Sequence, residues 1–281
     1  MRLKAFFLVC IYVIFCLIST NISAQQKAKA GDRKSAENYL SQGKNIAEKD
    51  RRAAMNFMEK AIAADSTFAE AHAEKGKLLL AENQFDEAVK ALQKAVSQNY
   101  TNEQVYSNLG FAYARVNKNA EAVNYLSKAI SLDPTNLENY AHRAYAYINL
   151  EQYERAEQDY KLFLMKNPDD AIGWYNLSRA QYSQKKFDDC IGTLNKVNAL
   201  QPGYLDTYFW LGLSYAGKLD FANALNWFDK AIAQKPDAGY LYFNRGIAKG
   251  RLNRNDFCAD FKKAVELGYT DAEKMVANYC K

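Results

Sequence analysis

The sequence predicts an all-α solenoid of about seven helical hairpins with a C-terminal capping helix, because three residue registers recur at one interval. All four prolines, Pro134, Pro168, Pro202 and Pro236, are equally spaced, and proline breaks a helix interior because it lacks the backbone donor and crowds the preceding turn. The same interval joins Tyr106, Tyr140, Trp174, Tyr208 and Tyr242, and it joins Ala88, Ala122, Ala156, Cys190 and Ala224. A period of roughly 20 to 50 residues marks stacked units that bury their apolar faces on one another.

The amino terminus departs from this rhythm. Arg2 and Lys4 precede an uncharged run from Ala5 to Ile18, followed by small and polar residues up to Ala24. A basic start, a short apolar stretch and a small residue before the cleavage point describe an export signal, since a spanning helix needs roughly 20 apolar residues. Residues 1–24 are therefore read as a signal peptide cleaved before Gln25, the alternative being an uncleaved anchor. Phe15 stands where a lipobox before Cys16 would have a small residue, which disfavours a lipid anchor. Residues 25–35 read as a linker. Removing Arg2 and Lys4 lowers the net charge of +5 to about +3, too weak a balance to imply nucleic acid.

The stretch from Glu103 to Asn136 shows one unit. Tyr106, Leu109, Gly110 and Tyr113 fall on one helical face, Asn117 to Asn119 make a polar turn, and a second helix carries Ala122, Leu126, Ala129 and Ile130. It stops at Asp133-Pro134, because proline disfavours helical geometry in the residue before it. Gly110 and Ala122 are small where two helices approach closely.

This pattern resembles the tetratricopeptide repeat (TPR), in particular that of exported bacterial members: an aromatic, Leu-Gly and Tyr on the first helix, then Ala, a large apolar residue, Ala and Asp-Pro on the second. The resemblance covers nearly all of the mature chain, with repeats over residues 36–269, and implies a right-handed α-solenoid. The units run Ala36 to Ser66, Thr67 to Asn102, Glu103 to Asn136, Leu137 to Asp170, Ala171 to Tyr204, Leu205 to Ala238 and Gly239 to Tyr269. In the first and last, Gly43 to Ala61 and Gly246 to Ala264 are one position closer than the equivalent interior pair, Gly110 to Ala129, as in atypical terminal units. His72 takes an aromatic slot, Gln181 and Lys249 take tyrosine slots and Phe163 takes an alanine slot, and the fifth unit is expected to be locally less stable.

Residues 270–281 form the capping helix, with Ala272, Met275, Val276 and Tyr279 on its apolar side. Cys10 and Cys16 belong to the signal, and Cys190 replaces a small alanine as a core thiol. Cys258 and Cys280 lie equally far from Tyr269 on its two sides, so an antiparallel hairpin brings them level. Helix rotation decides between a structural disulfide, which an exported compartment permits, and two free thiols.

The chain carries no catalytic signature and is read as neither an enzyme nor a cofactor-binding protein. Of its two histidines, His72 sits in a packing slot and His142 lies on a helix among aromatics, and the chain has no Cys-x-x-Cys pair, His-Glu-x-x-His helix, phosphate-binding loop or dinucleotide fingerprint. Gly76, Gly110, Gly212 and Gly246 recur with the repeat as contact glycines, and Asp169-Asp170 and Asp188-Asp189 stand at turns. A glycan-cleaving enzyme would need a paired-carboxylate cleft, for which there is no sign.

What remains is a surface. In tetratricopeptide folds the first helices line a concave groove for an extended peptide or partner helix, and the resemblance implies the same here. By repeat register the groove slots hold Phe111, Arg115, Tyr145, Tyr175, Arg179, Tyr182, Phe209, Phe243 and Arg251, with Lys44 and Lys77. Aromatics and arginines anchor interfaces most often, yet each ring also has a simpler reading as packing between adjacent first helices. The lysines of the chaperone-type carboxylate clamp are missing beside Asn108, Asn176 and Asn244, so recognition of an acidic chain terminus is not expected. The expectation is an exported, noncatalytic scaffold, periplasmic or outer-membrane associated, that binds a protein or peptide partner in its groove. The alternative is an envelope assembly component that docks on a larger membrane complex through a convex second-helix face, where Tyr125, Tyr160, Thr193 and Trp227 would be exposed or half-exposed.

Overall fold

Each of the four prolines stands two residues beyond the end of a second helix, after Leu132, Lys166, Leu200 and Gln234. The intervening residue leaves the helical region in every case, with φ −138° at Asp133, −119° at Asn167, −146° at Gln201 and −132° at Lys235. This is the restriction that proline imposes on its predecessor.

The computed structural model describes residues 32–204 and 206–280, and among them it contains fifteen α-helices and no strand. They are α1 (32–46), α2 (Arg51–Ala64), α3 (Ala69–Ala81), α4 (Phe85–Ser97), α5 (Glu103–Arg115), α6 (Asn119–Leu132), α7 (Glu138–Asn149) and α8 (Tyr153–Lys166). There follow α9 (Ala171–Ser183), α10 (Phe187–Leu200), α11 (Thr207–Gly217), α12 (Phe221–Gln234), α13 (Gly239–Arg251), α14 (Phe257–Glu266) and α15 (Asp271–Tyr279). The signal assigned to residues 1–24 lies outside the described residues. The linker assignment needs correction at its end, since residues 32–35 are already helical. Arg33 explains this: its guanidinium lies 4.4 Å from the Phe68 ring centroid and 2.8 Å from the Asp65 carboxylate.

The helices divide into two units, α1–α6 up to Pro134 and α7–α15 from Thr135. Within each, consecutive helices pack as antiparallel hairpins and first helices also touch, α3 on α5 in the first unit, α7 on α9 and α11 on α13 in the second. The recurring small residues permit this. A Cβ on Gly110 would stand 2.6 Å from Leu126 Cγ, and one on Gly212 would meet the Phe228 ring, so only glycine fits there. Leu109, Leu126, Leu177, Leu194 and Leu211 are almost wholly buried, each contributing about 1.5–3 kcal/mol relative to exposure. Phe163, the large residue in an alanine slot, is accommodated opposite Gly173, where an added Cβ would be 3.0 Å from the ring.

The aromatic slot has a second task. Trp174 Nε1 donates to the Pro168 carbonyl at 2.9 Å and the Tyr242 hydroxyl to the Pro236 carbonyl at 3.0 Å. His72 Nε2 lies 3.1 Å from the Ser66 carbonyl, in the same relation. Histidine thus keeps the contact that ties the start of a first helix to the preceding turn.

From α3 onward the turn inside each hairpin needs a left-handed residue, and the need recurs at Asn83, Asn117, Glu151, Lys185, Leu219 and Asn253, all with φ between 55° and 65°. Asparagine tolerates this region and leucine does not. Leu219 is 74% exposed at φ 65°, so it is strained without compensating burial. Leu219→Gly should stabilise the protein by about 0.5–1 kcal/mol, read as a raised urea midpoint; a lowered midpoint would refute the strain.

At the carboxyl end, α15 packs on α14. Ala272 is its one buried residue, Met275 and Val276 are half-buried, and Tyr279 is 63% exposed, outside the apolar side to which the sequence pattern assigns it. Cys258 and Cys280 form a disulfide with Cα atoms 5.5 Å apart, a closure of this size contributing about 3 kcal/mol. Cys190 is fully buried, and burial pushes its thiol up to about 11.

Candidate functional site

The groove-slot residues divide between the two units, and each group has its own geometry. In the first unit Phe111 is half-buried and Arg115 is exposed. The Arg115 guanidinium lies 4.5 Å from the Phe85 centroid, and Phe85 meets Phe111 edge-on at 6.2 Å. Lys77 is exposed, whereas Lys44 pairs with Glu70 at 2.7 Å and Glu74 at 3.6 Å.

In the second unit Tyr145 is 38% exposed, Arg251 is exposed, and Tyr175, Arg179, Tyr182, Phe209 and Phe243 are half-buried. The rings hold one another. Tyr182 meets Trp210 edge-on at 5.1 Å, Trp210 lies 6.1 Å from Phe209, and Phe209 meets Tyr240 edge-on at 4.9 Å. Trp210 Nε1 donates to the Tyr175 hydroxyl at 3.0 Å, so one ladder of rings crosses α9, α11 and α13. Phe243 instead packs on Phe261 and Tyr269, at 5.8 and 5.1 Å. Such contacts contribute about 0.5–1.5 kcal/mol each beyond their burial, so these rings pack between helices while showing an edge to solvent.

Two members of the ladder, Trp210 and Tyr240, escape a search by strict period. Trp210 stands one place beyond the position that the period pairs with Tyr175, in the slot that holds Asn108, Asn176 and Asn244 elsewhere. That alternation with asparagine is the signal that marks it.

The charged residues do more than face water. Arg143 on α7 makes a two-pronged contact with Asp159 on α8 at 2.8 and 2.9 Å, and Arg245 on α13 does the same with Asp260 on α14 at 2.9 and 2.6 Å. Both arginines replace the leucine of the repeat, and both aspartates replace the partner that faces it. Lys249, in a tyrosine slot, is buried between Asp256 at 2.9 Å and Asp260 at 3.0 Å. Gln181, in the other, is also buried, but its Oε1 has no hydrogen-bond partner. Glu157 is buried as well. Burial alone would raise its carboxyl, but hydrogen bonds from Lys161, Lys186 and Gln184 hold it down at about 2.

The second-helix face differs from expectation. Tyr125 and Trp227 are half-buried, but Tyr160 is 2% exposed and Thr193 is 8% exposed. Tyr160 occupies the large apolar slot of Leu126 and Leu194, and Thr193 shares the slot of Tyr125 and Trp227 but is too short to reach the surface as they do. The exposed apolar residues of α8 are Leu162 and Met165, 44% and 75% exposed.

Among the described residues no group of histidine, cysteine, aspartate or glutamate could hold a metal ion, and no helix is long and apolar enough to cross a membrane.

Comparison with known proteins accords with this architecture. Family models described as TPR repeat match residues 76–117, and those described as tetratricopeptide repeat match 103–136, 125–158, 142–204 and 205–237, which together leave no gap from residue 76 to residue 237. By sequence, no curated protein matches the chain. Similar solved structures include a tetratricopeptide repeat protein from Parabacteroides merdae, with TM-score 0.57 and 20% identity over 87% of this chain and 100% of that one. The C-terminal part of a TPR repeat-containing protein from Cytophaga hutchinsonii gives TM-score 0.60 and 18% identity over 85% of this chain and 98% of its own. YrrB, a TPR protein with an unusual peptide-binding site, gives TM-score 0.57 and 23% identity over 64% and 93%.

Proposed function

We propose, because this chain belongs to the tetratricopeptide repeat family, that it is a noncatalytic scaffold that binds an extended protein segment along a groove lined by its first helices. The observation that carries this reading is the ladder from Tyr182 through Trp210 and Phe209 to Tyr240, whose half-buried rings offer apolar edges across three consecutive first helices. Affinity should be modest, on the order of micromolar. The basic, apolar and small-residue order of residues 1–24 supports export to a bacterial periplasm or outer membrane.

A second reading, docking to a larger envelope complex through the second helices, is favoured by Leu162 and Met165, both exposed on α8. A random peptide library selected on the full chain separates the two. A photo-crosslinking residue at Tyr145 or Arg251 should capture the selected peptide, and one at Leu162 or Met165 should not. The reverse pattern moves the function to the second-helix face, and absence of any binder defeats the groove. Export is read in the same preparation, where mature protein should begin at Gln25.

A further inference from the structure

Three arginines of the second unit are half-buried. Arg143 has Asp159, and Arg245 has Asp260 and Asp229. Arg179 has no carboxylate partner among the described residues; its hydrogen bond is to the Asn176 Oδ1, at 3.4 Å. A guanidinium partly withdrawn from water and left without a counter-charge is unfavourable, and an incoming carboxylate would gain two parallel hydrogen bonds there. The surroundings define what else the incoming group must carry. Ile172, Tyr175, Arg179 and Tyr182 lie on one stripe of α9 by three- and four-residue spacing. Ile172 is 57% exposed, and Tyr145 on α7 is 38% exposed. The helix that carries Tyr145, α7, packs on α9, and the other charges near Tyr175, Asp206 and Lys235, pair with each other at 2.7 Å. Along α9 the cation therefore has Ile172 and Tyr175 before it and Tyr182 after it, and Tyr175 and Tyr182 both touch Trp210 of α11.

We infer that the first-helix face of the second unit binds an extended peptide segment bearing an internal aspartate or glutamate that docks on Arg179, between apolar side chains that rest on Ile172 and Tyr145 to one side and on the Trp210 ladder to the other. This rests on the groove reading above and names its partner's chemistry. An internal acid fits better than a terminal carboxylate because apolar surface continues past Arg179 in both directions, so the ligand chain continues too.

The test uses the full chain and a decapeptide library acetylated and amidated at its ends, which removes terminal charges. Selected peptides should share one Asp or Glu flanked by aromatic or aliphatic residues, and changing that acid to its amide should weaken binding at least about tenfold. Arg179→Gln should bind acid and amide forms alike, Arg179→Lys should keep part of the preference, and Arg179→Glu should select Lys or Arg in that position. Melting curves of the three variants report on folding, and Arg179→Lys is the least disruptive. Binders without a shared acid, a preference that survives Arg179→Gln, or binders obtained only from a library with free carboxyl ends would overturn the inference while leaving the groove reading intact. No binder from either library would defeat the groove reading itself, and the inference with it.

Discussion

Asp159→Tyr alone should destabilise the α7–α8 hairpin by about 3–5 kcal/mol, whereas Arg143→Leu combined with Asp159→Tyr should return it to within about 1 kcal/mol of the parent or better. The single change removes the carboxylate from a pair whose guanidinium is half-buried, the costly way to break a buried pair. The double change copies what the preceding hairpin already does. There Leu109 is fully buried, and Tyr125 stacks on Tyr113 at 5.6 Å and leans on Tyr106 at 6.0 Å. Tyr140 and Tyr147 stand one repeat after Tyr106 and Tyr113, so the new ring would find both of its neighbours. They now cover Arg143, whose guanidinium lies 5.5 and 5.7 Å from their centroids. Because repeat arrays open locally, amide exchange of α7 and α8 is the proper measure. A double variant as weak as the single one would show that these slots are not interchangeable.

Glu157→Gln should lower the urea midpoint at pH 7 by an amount equivalent to about 2 kcal/mol, the usual scale for hydrogen bonds to a charged group, and the deficit should vanish in acid. Glu157 on α8 accepts from Lys186 at 2.7 Å and Gln184 at 2.9 Å, both in the turn between α9 and α10, and so ties adjacent repeats together. Both lysine partners are largely exposed, with side chains 60% and 44% accessible for Lys161 and Lys186, so solvent screening keeps the effect below that of a fully buried pair. The folded carboxyl is depressed to about 2, below the ordinary value of about 4.3 in the unfolded chain. A depressed acid stabilises the fold above the unfolded value and loses that contribution as pH falls toward the folded one. The difference between parent and variant should be constant from pH 7 to about 5 and shrink toward pH 2. A difference that stays undiminished at pH 2.5 would mean the carboxylate charge is not what holds the turn.

The residues that vary from repeat to repeat divide into those the sequence explains and those it does not. Cys190 in an alanine slot is small, and its burial follows from that. Arg143 in a leucine slot is opaque by itself, because the residue that satisfies it stands 16 positions later, on the facing helix. The left-handed turn position shows as asparagine at Asn83, Asn117 and Asn253 but is hidden at Glu151, Lys185 and Leu219, since side-chain chemistry there does not report the backbone angle. His72 reads as a departure until its ring is seen against the Ser66 carbonyl. The first-helix aromatics are legible as positions and not as contacts: strict period marks Phe209, which meets Tyr240 of α13, while its neighbour Trp210 joins α11 to α9.

By itself the sequence determined the all-α repeat fold, its hairpin and its small-residue contacts, because proline, glycine and apolar spacing act through local backbone geometry and through packing that every repeat shares. Only the tertiary structure decided which rings face each other, which arginines are neutralised, that Tyr160 and Thr193 are buried, and that Cys258 meets Cys280. Each of these depends on the rotation of one helix against another, and a single strand of spacing rules carries no information about rotation until the neighbouring helix is in place.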